Sequence, residues 1–395
     1  MANAAPRLLL FTDTLGDVNG VSRFIRNVAD QALETGRVLH VLTSTRIEIP
    51  DRANLHNVAP RLAMSMPKYP QLELVLPAAG RLLALARAFR PDVVHVSTPG
   101  PVGLCGFIAA RRLRVPVLGV YHTDFPAYLD RLFEDRGLTW ACSRAMRALY
   151  TRFTRVFTRS DDYAAALVSL GVAPDRIVRL RPGIDTGTFN VAHRDEGIWA
   201  RVTPGSRARV RVLYVGRVSI EKNLPLLTRV WARLAPDLPD AELVVVGDGP
   251  YRAGMQAALA GARASFLGFR HASELSAIYA TSDVFVFPST TDTLGQVVME
   301  AQSSGLPVLV SDQGGPREVV REGETGHVLP AADARAWETA LAALCRDGAR
   351  RAAMGRAAHE AMSGFTIRRS FDHFWEVHAD AARPALAAGD AAGVA

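Results

Sequence analysis

Of the 46 cationic side chains in this 395-residue chain, 44 are arginine and only two, Lys68 and Lys222, are lysine. Against that background a lysine marks a place where a compact ammonium can do what a planar guanidinium fork cannot. Lys222 lies in Gly216-Arg217-Val218-Ser219-Ile220-Glu221-Lys222-Asn223, which follows an apolar run and enters a helical pattern. At a strand end, Arg217 and Lys222 can converge on one diphosphate, the first as a fork and the second as a point charge. The plainer alternative is a surface loop carrying a Glu221–Lys222 ion pair.

The most specific signal is Pro288-Ser289-Thr290-Thr291-Asp292-Thr293-Leu294-Gly295-Gln296-Val297-Val298-Met299-Glu300. It reads as a strand end, a polar loop and a helix starting near Gly295. Helix amides at Leu294 and Gly295 would face an anion. Asp292 in the loop could accept hydrogen bonds from sugar hydroxyls. Glu300, one to two turns into the helix, could accept two from a ribose diol. As an ordinary element, Asp292 would be an N-cap and Glu300 a solvated helix residue. Glu300 is flanked by Val297, Val298, Met299 and Ala301, however, and a carboxylate in such a setting needs a partner.

Three further loops carry weaker signals. Thr12-Asp13-Thr14-Leu15-Gly16-Asp17-Val18-Asn19-Gly20 precedes a helix and could present backbone amides to phosphate, or be an ordinary βα turn. It matches neither G-x-G-x-x-G nor the Walker A pattern. Gly247-Asp248-Gly249-Pro250 imitates a dinucleotide fingerprint, but Pro250 and the missing third glycine favour a tight turn. Tyr121-His122-Thr123-Asp124-Phe125-Pro126 closes an apolar strand, which places His122 and Asp124 where a ligand would bind or leaves His122 structural.

These loops need strands to hold them, and the pattern supplies two series. Short apolar runs at 7–13, 38–43, 92–97, 115–122, 156–160 and 177–180 alternate with helical patterns such as 21–34 and 139–152. A second series follows at 210–218, 242–247, 264–269, 283–289 and 307–311, interleaved with helices at 224–234, 273–281 and 295–304. Continuous apolar strands separated by helices indicate parallel sheets buried on both faces. The expected fold is α/β, with two doubly wound, Rossmann-like domains facing a cleft. Domain one spans 1–190, a polar linker 191–208, domain two 209–364, a helix returning to domain one 365–382, and a disordered Ala/Gly-rich tail 383–395. In such sheets ligands bind beyond the C-terminal strand ends.

Composition bounds the function. With 49% apolar residues the chain can build sizeable cores. Three cysteines without a C-x-x-C pair argue against a disulfide framework and a cysteine zinc site. Residues 1–6 lack the makings of a signal peptide, and the longest apolar stretch, 102–110, is too short for a membrane span. The expectation is a soluble, cytoplasmic protein. Residues 1–190 carry 24 Lys+Arg against 16 Asp+Glu and the remainder 22 against 23, so the surplus lies wholly in the first half. Such a bias suits an anionic partner or a basic solvated surface.

On these motifs the chain resembles the GT-B glycosyltransferases, specifically the retaining family 4 and its glycolipid-forming members, the sulfoquinovosyl- and mannosyl-diacylglycerol synthases. The match runs from about residue 7 to 380. It is carried by 217–223, by 283–305, by Gly314-Gly315-Pro316-Arg317-Glu318, and by the stretches 121–123 and 247–252. The resemblance implies a nucleotide-sugar donor, UDP- or GDP-linked, held mainly by the second domain. Arg217 and Lys222 would hold the diphosphate, Glu300 the ribose and Asp292 the sugar hydroxyls. Leu294 and Gly295 would give amides to phosphate, and Phe269 and Arg270 would border the base. Asn19 and Gly20 would close over the phosphate, His122 would face the transferred sugar, and Asp124 would lie on the acceptor side. The family pattern E-x7-E has Asp292 as its first acid here, one methylene shorter. No metal and no cofactor is implied; Arg217 and Lys222 would neutralise the leaving diphosphate.

The expected acceptor is a membrane lipid, with the basic first half against an anionic surface on the inner face of the cytoplasmic membrane; no nucleic-acid partner is implied. The stretch 72–90, with Arg81, Arg87 and Arg90, could lie on that interface or be an amphipathic helix packed on the sheet. Alternatives are the same chemistry on a soluble sugar or polysaccharide, a non-catalytic nucleotide-sugar sensor, and a nicotinamide dehydrogenase lacking a proper glycine fingerprint.

Overall fold

The computed structural model describes residues 5–17, 20–66, 69–122 and 135–392. The chain divides into two compact units, 1–181 with 368–395, and 182–367. The division comes earlier than the boundary expected at 190, and each unit is built around its own sheet.

In the first unit the sheet order is β3-β2-β1-β6-β7-β8-β9. These strands are β1 (Leu8–Phe11), β2 (Leu39–Thr43), β3 (Leu55–Asn57), β6 (Val93–Val96), β7 (Val117–Tyr121), β8 (Arg155–Thr158) and β9 (Ile177–Arg179). All pair in parallel. Successive β1 residues serve opposite faces: Leu9 and Phe11 join one core cluster, Leu8 and Leu10 the other. An antiparallel hairpin, β4 (Leu62–Met66) and β5 (Tyr69–Leu76), stands apart and leaves Leu62, Met64 and Leu76 exposed. Helices α1 (Gly20–Glu34), α2 (Ala79–Phe89), α3 (Pro101–Leu113), α4 (Arg136–Tyr150) and α5 (Asp161–Ser169) connect the strands. The stretch 72–90 is therefore no single helix: it begins in β5, and Pro77 and Ala78 separate the strand from α2.

The second unit has the order β12-β11-β10-β13-β14-β15, again all parallel. Its strands are β10 (Val210–Val215), β11 (Ala241–Val246), β12 (Ala264–Gly268), β13 (Val284–Phe287), β14 (Val308–Ser311) and β15 (Gly326–Leu329). Its helices are α6 (Ile198–Val202), α7 (Leu224–Leu234), α8 (Arg252–Ala258), α9 (Ala272–Thr281), α10 (Gln296–Ser303), α11 (Ala334–Arg346) and α12 (Gly348–Met362). The order reverses between β10 and β13, the switch point where doubly wound sheets bind ligands. Residues 191–208, expected as a linker, belong to this unit, because Ile198 is buried in its core.

The last helix, α13 (Ile367–Ala392), returns to the first unit. Phe371, Phe374, Trp375 and Ala382 pack on the face that carries Leu8 and Leu10, and Arg37 Nη1 pairs with Asp372 Oδ1 at 2.6 Å. The helix extends through most of the segment expected to be a disordered tail.

Candidate active site

Within the second unit the sequence motifs converge on the switch point. After β10 the chain turns at Gly216, then Val218 and Ser219 are fully buried and fix the loop from below. Tyr214 Oη donates to the Arg217 carbonyl at 2.8 Å. Burial, reinforced by the Asp292 and Glu221 carboxylates, holds its phenol well above the usual range, so it stays a donor. A 3₁₀ turn, Ile220–Lys222, and a left-handed Asn223 lead into α7.

Lys222 Nζ lies 2.8 Å from Asp292 Oδ2, so two residues seventy positions apart meet at the adjoining ends of β10 and β13. Both side chains are mostly shielded, at 19% and 26% exposure, where an ion pair is worth more than in open solvent. Arg217, half exposed, reaches Glu221 at 3.9 Å, and Thr291 Oγ1 donates to the Glu221 carbonyl at 3.3 Å. The Glu221–Lys222 pair considered from sequence is thus replaced by Arg217–Glu221 and Lys222–Asp292.

The Asp292 loop is clasped by the loop after β14. Gly315 N donates to the Asp292 carbonyl at 2.8 Å, and a Cβ on Gly315 would sit 2.1 Å from the Thr293 carbonyl oxygen. Gly295, in the left-handed region at φ +67°, caps α10; a Cβ there would strike the Pro316 ring. Leu294 is buried beneath this corner. The Gly314-Gly315-Pro316 segment therefore sets the height of the Asp292 loop, a role its sequence did not disclose.

Glu300 is 2% exposed, and Tyr279 Oη, from α9, donates to its Oε2 at 3.3 Å. Tyr279 is itself wedged between Phe189 and Phe285. Phe269, directly after β12, is 67% exposed, whereas Arg270 is tied to Glu274 at 3.3 Å. β12 is two strands from β10, so the two strands lie about 10 Å apart across the sheet.

In the first unit, Gly20 opens α1 and is exposed. Asn19 and Asp124 lie outside the described residues. His122 follows β7 and is buried, with Nε2 3.4 Å from Ser97 Oγ and Nδ1 accepting from Arg159 Nε at 3.2 Å. Burial and the adjacent Arg159 guanidinium push its pKa well below the ordinary value. Asp13 caps α3, accepting from Thr98 Oγ1 at 2.6 Å and Val102 N at 2.8 Å; its tight structural bonding is a role sequence reading missed. Among the described residues, no three His, Cys, Asp or Glu side chains stand together as a metal site, and no helix is long and apolar enough to cross a membrane.

Comparison with known proteins gives the same picture. Residues 203–361 match the family Glycosyl transferases group 1, and residues 18–188 match Glycosyltransferase Family 4. The chain is 31% identical to sulfoquinovosyl transferase SQD2 of Arabidopsis thaliana over 89% of its own length and 68% of that protein. It is 35% identical to a GDP-mannose-dependent alpha-mannosyltransferase of Mycobacterium tuberculosis over 80% of itself and 81% of that enzyme. The crystal structure of Anabaena HepE in complex with UDP aligns at a TM-score of 0.74 with 18% identity, covering 94% of this chain and 99% of that one.

Proposed function

Because the chain belongs to the group 1 glycosyltransferases, with a family 4 N-terminal half and the GT-B fold, we infer that it is a retaining hexosyltransferase acting on a membrane-lipid hydroxyl. That it is a nucleotide-sugar-dependent glycosyltransferase follows from the family; retention, acceptor and residue roles are our reading. One observation carries the roles: Lys222 and Asp292 meet at the switch point, and Glu300, eight positions after Asp292, is buried.

In this reading Arg217 and Lys222 receive the diphosphate of a UDP- or GDP-linked hexose, with the amides of Leu294 and Gly295 adding donors. Glu300 accepts the ribose hydroxyls while Tyr279 holds the carboxylate still. Phe269 offers an exposed ring to the base beside Arg270. Lys222 passes from Asp292 to the phosphate as the donor binds, which frees Asp292 for the sugar hydroxyls. His122, Asn19, Gly20 and Asp124 are assigned to the sugar and acceptor side. The glycosidic C–O bond to the β-phosphate breaks, an oxocarbenium-like centre forms, and the acceptor oxygen bonds to it from the face the phosphate leaves. A phosphate oxygen takes the acceptor proton, so configuration is retained without a protein nucleophile. Fixed cations stabilise the developing negative charge, a role requiring no resident metal.

The lipid acceptor is supported by the first unit's surface. Helices α2 and α3 carry Arg81, Arg87, Arg111 and Arg112 and no acidic residue, with Leu85 and Leu104 exposed. A groove of about 300 Å³ between them is lined by Leu83, Ala84 and Leu113 with Arg87 and Arg112. Such a surface suits peripheral binding to anionic lipid on the cytoplasmic side, at about 1 kcal/mol per basic residue. The test is a panel of labelled UDP- and GDP-hexoses with anionic vesicles: label extracted into organic solvent, with the anomeric configuration of the donor, is expected. Label confined to water-soluble product would overturn the acceptor, and an inverted product the mechanism.

A further inference from the structure

His122 and Arg159 make a contact that decides the chemistry of the imidazole. Arg159 follows β8, the neighbour of β7 in the sheet, and its Nε lies 3.2 Å from His122 Nδ1. The guanidinium lies over the Phe24 ring at 5.0 Å, and Phe24 packs edge-on against both His122 and Phe374. Arginine has only donors, so Nδ1 must be the accepting nitrogen. In the neutral ring the proton then resides on Nε2. Its sole described contact is Ser97 Oγ at 3.4 Å, longer than a well-formed N–H···O bond.

We propose that Arg159 is a positioning residue: it locks His122 as the neutral tautomer that presents an Nε2–H donor at the C-terminal end of the first sheet. This deepens the reading above and rests on His122 facing the transferred sugar. In this state His122 is neither general base through Nε2 nor a charged acid; it supplies one hydrogen bond to a sugar oxygen. Protonating Nδ1 would turn an N–H toward the guanidinium N–H, so the ring resists becoming imidazolium. Burial brings Arg159 down to about 10, which leaves it charged at neutral pH. Among the described residues, the other titratable group facing His122 is His95, on β6, which is itself bonded to His378 of α13 at 3.0 Å. Neither supplies an anion that would favour a charged ring.

The experiment takes the full chain labelled with ¹⁵N in its ten histidines, with His122→Asn to assign the signal. Ring spectra from pH 8 to 5.5 are compared with kcat and donor KM for the wild type, Arg159→Met and Arg159→Lys. In the wild type, Nδ1 should be unprotonated throughout. In Arg159→Met the ring should become a tautomer mixture whose titration moves upward but stays below the ordinary value, because the ring remains buried. Its kcat should fall roughly tenfold, the rate equivalent of one neutral hydrogen bond, and gain an acid limb, while donor KM holds. Arg159→Lys should restore most of the rate, and it serves as the comparison if Arg159→Met does not fold. A wild-type proton on Nδ1, or an Arg159→Met variant with unchanged tautomer and pH profile, overturns the proposal. His122→Ala at full kcat would instead remove the role in transfer, while the ring spectra still decide the Arg159 contact.

Discussion

Acidification should loosen the first unit. His95 and His378 are fully buried and His122 nearly so, with His95 Nδ1 3.0 Å from His378 Nε2 and His378 Nδ1 bonded to the Phe374 carbonyl. Burial lowers all three pKa values; His378 falls to about 3, its bond to Phe374 offsetting part of the effect. The folded values lie below the unfolded ~6.5, so below that pH the unfolded chain binds protons the folded chain does not. This stability is present above pH 6.5 and is lost as pH falls toward the folded values. Between pH 7.5 and 5.5 each group loses at most about 1.4 kcal/mol, and the three together at most about 4, against a total of roughly 5–15. Asp13, raised by burial, acts in the opposite sense, favouring the fold at low pH. Amide exchange of peptides from β6 and α13, corrected for intrinsic rates, should show protection falling by roughly tenfold or more, up to about a thousandfold, between those pH values. Replacing His378 with leucine should remove about a third of the slope. Equal protection at both pH values, or an unchanged slope in that variant, would refute the linkage.

Lys222→Ala should lower kcat by about 10²–10³, because the leaving diphosphate loses a preorganised charge; steady-state turnover with a labelled donor measures it. Tyr279→Phe removes the donor to Glu300 and should raise donor KM by roughly five- to tenfold with kcat little changed, as read from a substrate titration. Glu242→Ala should cost about 3 kcal/mol in urea unfolding, since it removes the carboxylate 3.2 Å from the Arg211 guanidinium, which is 4% exposed and keeps Asp283 as a further acidic neighbour.

The two sheets were legible because strands such as Val-Phe-Val-Phe at 284–287 are apolar on both faces, which only a covered parallel sheet accommodates. β3 and β15 were not: Leu-His-Asn and Gly-His-Val-Leu are short and mixed, and pairing rather than composition makes them strands. The hairpin was hidden because its stretch merges with α2 in any apolar window, and only Pro77 and Ala78 separate them. At the site, Lys222 was visible by its scarcity and Asp292 and Glu300 by their spacing. Their meeting was not, because a contact across seventy residues is a property of strand order. Arg159 is one arginine among 44 and Tyr279 an aromatic in an apolar helix, so neither carried a signal until the fold gave it a neighbour.

The return of α13 to the first unit governs the order in which the protein can be completed. β1 to β9 are made before α13, so the sheet face around Leu8, Leu10 and Val120 has α1 packed on it but lacks Phe371, Phe374 and Trp375 until the chain beyond the second unit is made. The second unit, contiguous from 182 to 367, is fully translated before then and can close independently. Nascent chains therefore carry a partly open apolar surface for the whole time the second unit takes to be made, and a fragment cut at Arg181 would keep it permanently. Any shortening of this protein for expression has to spare α13, whose Phe374 and His378 also stand behind His122.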